Sequence, residues 1–95
     1  MGHRTLSDVI KQLDVCLAEY CTTFYRLHGT APKEQFLANI LKASVDSFED
    51  ARIRAILRRG VYRIKVDMDN TDCNIRISVT RKSLSRLSKY LSNVD

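Results

Sequence analysis

Seven cations in the second half of the chain carry its plainest chemical suggestion: Arg63, Lys65, Arg76, Arg81, Lys82, Arg86 and Lys89. Guanidinium and ammonium groups bind phosphate or carboxylate oxygens through charge-assisted hydrogen bonds, Arg as a planar fork and Lys as a point charge. Their placement is uneven. Residues 1–50 hold five Lys/Arg against seven Asp/Glu, and residues 51–95 hold eleven against four, so the formal net charge of +5 belongs to the C-terminal half. A one-sided excess of this kind points to an anionic partner. The partners that fit are nucleic acid or an acidic protein surface.

Other chemistries lack their parts. A zinc site needs thiols or imidazoles at helical or knuckle spacing, but Cys16 and Cys21 lie five apart and neither C-x-x-C nor H-x-x-x-H occurs. A catalytic nucleophile needs a histidine that a third group orients, and His28, the single internal histidine, sits where a helix end would use it instead. Gly2, Gly29 and Gly60 are isolated, so no phosphate-cradling loop exists. Asp69, Asn70 and Asp72 lack the glycine and closing glutamate of a calcium loop and read as turn chemistry. The expectation is a non-enzymatic protein without metal, cofactor or small-molecule substrate. Cys16, Cys21 and Cys73 are an odd number without framework spacing, which reads as reduced thiols. With no leader-like segment and no apolar run near membrane length, the expected setting is the cytoplasm, or the nucleus of a eukaryote, with no membrane contact.

The elements that must position these cations begin with a long helix. Leu6, Ile10, Leu13, Leu17, Tyr20, Phe24 and Leu27 are spaced 4, 3, 4, 3, 4, 3, a heptad seam that predicts a helix of about 33 Å. Thr5 and Asp8 form a capping box at its start. Val9 and Cys16 widen the stripe, while Lys11, Asp14, Glu19 and Arg26 fall outside it as solvated positions. Short elements elsewhere leave this seam as a candidate homodimer face as well as a core face. Gly29 and Pro32 end the helix and open the next, which runs from Pro32 to about Ser44 with Phe36, Leu37, Ile40 and Leu41 inward. Ser47 then reads as the cap of a third helix, Phe48 to Arg59, closed by Gly60. On its wheel Arg54 and Arg58 lie on one flank and Arg52 and Arg59 on the other, with Asp50 to Arg54 and Glu49 to Arg52 spaced for pairing.

After Gly60 the apolar period becomes two. Tyr62, Ile64, Val66 and Met68 face Val79, Ile77, Ile75 and Cys73 if Asp69 to Asp72 is a four-residue turn, which predicts an antiparallel hairpin. The same register sets Lys65 directly across from Arg76, a like-charge pair that an anion would relieve. Ser83 reads as the cap of a last helix with Leu84, Leu87, Leu91 and Val94 inward and Lys82, Arg86 and Lys89 as a basic ridge. The expected architecture is a flexible tail, residues 1–4, then one α+β domain, residues 5–95. Its order resembles a winged helix in element sequence alone, which would make the hairpin a basic wing. The functional expectation is a small nucleic-acid-binding or regulatory protein, dimeric, with the seven cations on one outward surface against phosphate backbone. The alternative is a small inhibitor or adaptor of viral or bacterial type docking the same face on an acidic protein.

Overall fold

The computed structural model describes residues 4–70 and 72–93. Along it run α1 (Leu6–His28), α2 (Glu34–Asp46), α3 (Ala51–Gly60), β1 (Val61–Asp69), β2 (Asp72–Val79) and α4 (Arg81–Asn93). This is the expected α+β order. The tail reading for residues 1–3, the turn residue Thr71 and the place of Val94 in the last helix lie outside the described residues. Arg4 places its guanidinium carbon 5.7 Å from the centre of the Phe48 ring, in cation–π range.

The capping box at Thr5 and Asp8 forms as expected, with both reciprocal hydrogen bonds at 3.1 Å. At the other end Gly29 takes a left-handed φ of 75° and donates its N–H to the Tyr25 carbonyl, a backbone state glycine adopts without steric cost. The buried line of α1 differs from the heptad seam. Val9, Leu13, Leu17 and Cys21, spaced by four, are at most 1% exposed, whereas Leu27 is 75% exposed. Leu6, Ile10 and Tyr20 only flank the core. Leu13 and Leu17 are therefore covered by their own chain, and the seven seam residues do not form an open dimer face. The cause is that α2 and β2 both pack on α1, so its buried stripe centres between them. Cys16 is exposed rather than part of the stripe, with its sulfur 3.4 Å from the Ser44 hydroxyl.

The hairpin keeps most of the expected register: Met68 faces Cys73, Val66 faces Ile75, Ile64 faces Ile77 and Lys65 faces Arg76. At its base Val61 pairs with Val79 and Arg63 with Ser78, so Tyr62 is bulged out of the ladder and 67% exposed. The expected Tyr62–Val79 pair is thus replaced, because a bulge opposes two residues to one. Pairing also continues to Asp69–Asp72, so both ends of the expected four-residue turn belong to the ladder. Asn70 takes a left-handed φ of 57°, which its short polar side chain tolerates.

The free edge of β2 is closed by α1. Ile77 N–H donates to the Asp14 carboxylate at 3.0 Å and Cys73 N–H to the Thr22 hydroxyl at 3.2 Å. Four helical residues advance about 6 Å and two strand residues about 6.8 Å, so Asp14, Ala18 and Thr22 keep step with Ile77, Ile75 and Cys73. Asp14 is accordingly half-buried, not solvated. Burial pushes its carboxyl above the ordinary 3.8, opposed by the Ile77 amide and Arg76. A raised carboxyl binds its proton more tightly in the folded state, so it favours folding more as pH falls through the raised value. Asp14→Asn retains an acceptor and loses the charge. It is expected to match or exceed the wild-type melting temperature at neutral pH, whereas Asp14→Leu strands the Ile77 amide at a cost of about 1–3 kcal/mol. Thermal unfolding of the two variants side by side checks this.

A disulfide joins Cys21 on α1 to Cys73 on β2, with Cα atoms 5.9 Å apart, although the two lie 52 positions apart in sequence. This corrects the reading of reduced thiols. Only the docking of β2 on α1 brings the pair together, and spacing along the chain holds no trace of it. Two helix starts also shift. Ser47 ends α2, donating its N–H to Ala43 and Ser44 carbonyls, and Asp50 caps α3 through the amides of Arg52 and Ile53 at 2.8 and 3.3 Å. Thr80 caps α4, accepting from Ser83 N–H at 3.3 Å, while Ser83 itself is buried in the first turn.

Candidate nucleic-acid interface

The arginines of α3 divide by what lies beside each flank. Arg54 donates to the carbonyls of Phe48 and Glu49, and Arg58 pairs with Asp46 at 2.7 Å. Both hold the α2–α3 corner, and the expected Asp50–Arg54 pair does not form. Arg52 and Arg59 are seven positions apart on the other flank, where α4 packs.

Three features bring α4 onto α3. Ile53, Ile56 and Leu57 of α3 and Leu87 of α4 are buried in one core, which supplies the main attraction. Gly60, the last residue of α3, lies so near Ser83 that a Cβ at 60 would overlap the serine's Cβ and hydroxyl. Tyr90 donates its hydroxyl to Asp50 Oδ2 at 2.6 Å, linking α4 to the group that caps α3. The Tyr90 hydroxyl, helped by the Ile53 and Arg52 amides, holds the Asp50 carboxyl below its ordinary 3.8. The same bond raises the phenol of Tyr90. A lowered carboxyl stabilises the fold fully above its unfolded value and loses that contribution as pH falls through the folded one. Tyr90→Phe is therefore expected to lower the melting temperature at neutral pH. The gap from wild type should narrow once pH drops below 3.8, which a series of melts in buffers of decreasing pH measures.

Between the two helices runs a groove of about 580 Å³, with Arg52 and Arg59 on one wall, Arg86 and Lys89 on the other, and Ala55, Ile56 and Ser83 along the floor. Tyr90 and Asn93 also line it, and among the described residues no Asp or Glu does. All four cations are exposed. Among the described residues none of the four is paired with a carboxylate, the ion pair there being Arg58 with Asp46. Four positive groups facing one low-dielectric trough focus positive potential into it.

The seven cations picked out in the sequence are not on one surface. Arg86 and Lys89 share the α3–α4 groove. Lys65 and Arg76 line a different groove against α1 with Lys11, Asp14 and Asp67, where carboxylates already moderate their charge. Arg63 lines a third, between α2 and β1, with Lys42, Arg58 and Glu34. Arg81 and Lys82 are exposed at the start of α4. The division follows from packing, because the hairpin lies on α1 while α4 turns back onto α3. Arg52 and Arg59 were overlooked as site residues although their seven-residue spacing put them on one flank. What the chain alone does not reveal is that the basic ridge of α4 would come to face them.

No family model, curated protein or solved structure matches the chain. The class that the fold and groove define is thus drawn from the molecule itself: a mixed α+β domain with a cation-walled trough between its third and last helices. None of the described helices is long and apolar enough to cross a membrane.

Proposed function

We propose that the chain is a non-enzymatic binding module whose α3–α4 groove receives the phosphate backbone of a nucleic acid. The observation that carries this reading is the convergence of Arg52, Arg59, Arg86 and Lys89 on one trough that, among the described residues, no carboxylate lines. Arg52 and Arg59 lie seven positions apart on α3, an advance of about 10.5 Å, too far to share one phosphate and suited to two separate phosphates. In this reading both arginines contact one backbone from the α3 wall, and Arg86 and Lys89 approach the same strand from the α4 wall. Contacts of this kind position a protein on nucleic acid without reading bases. Among the described residues Asn93 is the one side-chain amide lining the groove, so discrimination between sequences is expected to be weak.

Fluorescence anisotropy with labelled duplex DNA, duplex RNA and single strands at about 50 mM salt tests the reading, since backbone binding is strongest at low salt. Binding by the wild type and at least about tenfold weakening by Arg59→Glu are expected. Absence of binding to every probe would remove it. A labelled polyglutamate of matching charge is the comparison ligand, because Arg forks hold carboxylates as well as phosphates. Tighter binding to polyglutamate than to nucleic acid would move the assignment to an acidic protein surface.

A further inference from the structure

The N–H groups of Ile77 and Cys73 point away from β1, toward Asp14 and Thr22. Their partners Ile64 and Met68 are therefore in non-hydrogen-bonded pairs, and so, by alternation, is Val66 opposite Ile75. It follows that Ile64, Val66 and Met68 turn their own N–H and C=O groups to the other edge of β1. From Lys65 to Asn70 every residue on this strand end is exposed, and the groove against α2 reaches along β1 only as far as Ile64. An uncovered edge of this kind is a template for another strand. Val66 and Met68 are moreover 36% and 38% exposed on the side of the sheet that faces the helices, an apolar row left incomplete.

The sequence of that edge is complementary to itself. Antiparallel pairing about a two-fold axis through Val66 sets Lys65 against Asp67 of a second copy and Arg63 against Asp69 of that copy. The alternate face then sets Val66 against Val66 and Ile64 against Met68. Every outward pair on one face is opposite in charge, and every pair on the other is apolar. The backbone parity agrees, since Ile64, Val66 and Met68 carry the free hydrogen-bonding groups and would form the bonded pairs. Lys65 and Asp67 would then fall at the closer, non-bonded pairs, where side chains interact best. We infer that β1 is a self-association edge, at which two copies of this chain join their hairpins into one four-stranded antiparallel sheet. The arrangement is isologous and closed, so it stops at a dimer. It is independent of the α3–α4 groove.

The test is sedimentation of the purified full chain over roughly 10–1,000 µM, the range in which weak specific association registers, together with two charge reversals. Lys65→Asp and Asp67→Lys each turn both symmetry-related ion pairs into like-charge pairs, and each is expected to weaken dimerisation by about tenfold or more. An equimolar mixture of the two variants restores opposite charges at both positions and is expected to recover a mixed dimer, as is the double variant with itself. Folding is controlled within the design: Lys65→Asp places an acid opposite Arg76, and Asp67→Lys faces Asn74, so neither melting temperature should fall when compared with the wild type at concentrations where all are monomeric. A wild-type monomer throughout the range overturns the proposal. So does a dimer indifferent to both single reversals, or a mixture that stays monomeric.

Discussion

Reduction of the Cys21–Cys73 disulfide is expected to lower the unfolding free energy by about 4 kcal/mol, the largest effect of any single change considered. The two cysteines lie 52 positions apart, and in the chain-entropy account a loop of that size gives a constraint of this order. Small domains are stable by only about 5–15 kcal/mol, so loss of the bond removes a large share of the margin. The bond also joins the two layers of the fold. Cys21 continues the buried stripe of α1 and Cys73 lies on the inner face of β2, so it clamps the hairpin to the helix just where Thr22 accepts from the Cys73 amide. Urea unfolding with and without reductant measures the effect as a shift in midpoint. Cys16→Ser should leave both curves unchanged, because Cys16 is exposed and outside the bond. Coincident curves for oxidised and reduced protein would contradict the account.

The second large effect is expected at Gly60. A Cβ there would overlap the Cβ and hydroxyl of Ser83 and sit 3.1 Å from a methyl of Val79. Ser83 has little room to withdraw, being buried in the first turn of α4, and Gly60 is itself held there, its carbonyl accepting from Thr80 N–H at 3.0 Å. Gly60→Ala must therefore push α4 away from α3, at a cost of about 2–3 kcal/mol, the upper part of the range for overpacked cores. Because that contact also sets the separation of the groove walls, nucleic-acid binding should weaken in the same variant. Ser83→Gly removes the overlapping atoms, so the double variant Gly60→Ala with Ser83→Gly is expected to be more stable than the sum of its parts. A double-mutant cycle reads this coupling directly.

How much of this was legible in the chain varies element by element. The start of α1 was, because a capping box is a local signal written in two residues. Its inward face was not, since the heptad reading assumes a partner helix along one seam and the real partners are a helix on one side and a strand on the other. Leu13 and Leu17 belong to both readings, which is why the helix was evident although Leu27 and Cys16 are exposed and Cys21 is buried instead. Hairpin register was legible from matched alternation on two strands, yet the bulge at Tyr62 carries no pattern of its own. The candidate site was half visible. Arg86 and Lys89 were found by their spacing, and Arg52 and Arg59 were seen to share a flank, but wheels of isolated helices do not say which flanks will meet. The disulfide was illegible for the same reason: it is a consequence of tertiary docking. Polar groups at edges repeat the lesson, since Asp14 reads as solvated until β2 is laid beside it.

The central claim is that the four cations of the α3–α4 groove act together on one phosphate backbone. The most direct measurement is the salt dependence of duplex binding for the wild type, for a groove variant with Arg52, Arg59, Arg86 and Lys89 changed to Ala, and for a hairpin variant with Arg63, Lys65 and Arg76 changed to Ala. With about four phosphates neutralised, the logarithm of wild-type affinity should fall with the logarithm of salt at a slope near −3.6. The groove variant should flatten that slope toward zero, and the hairpin variant should keep most of it. A groove variant that retains the wild-type slope while the hairpin variant loses it would contradict the account.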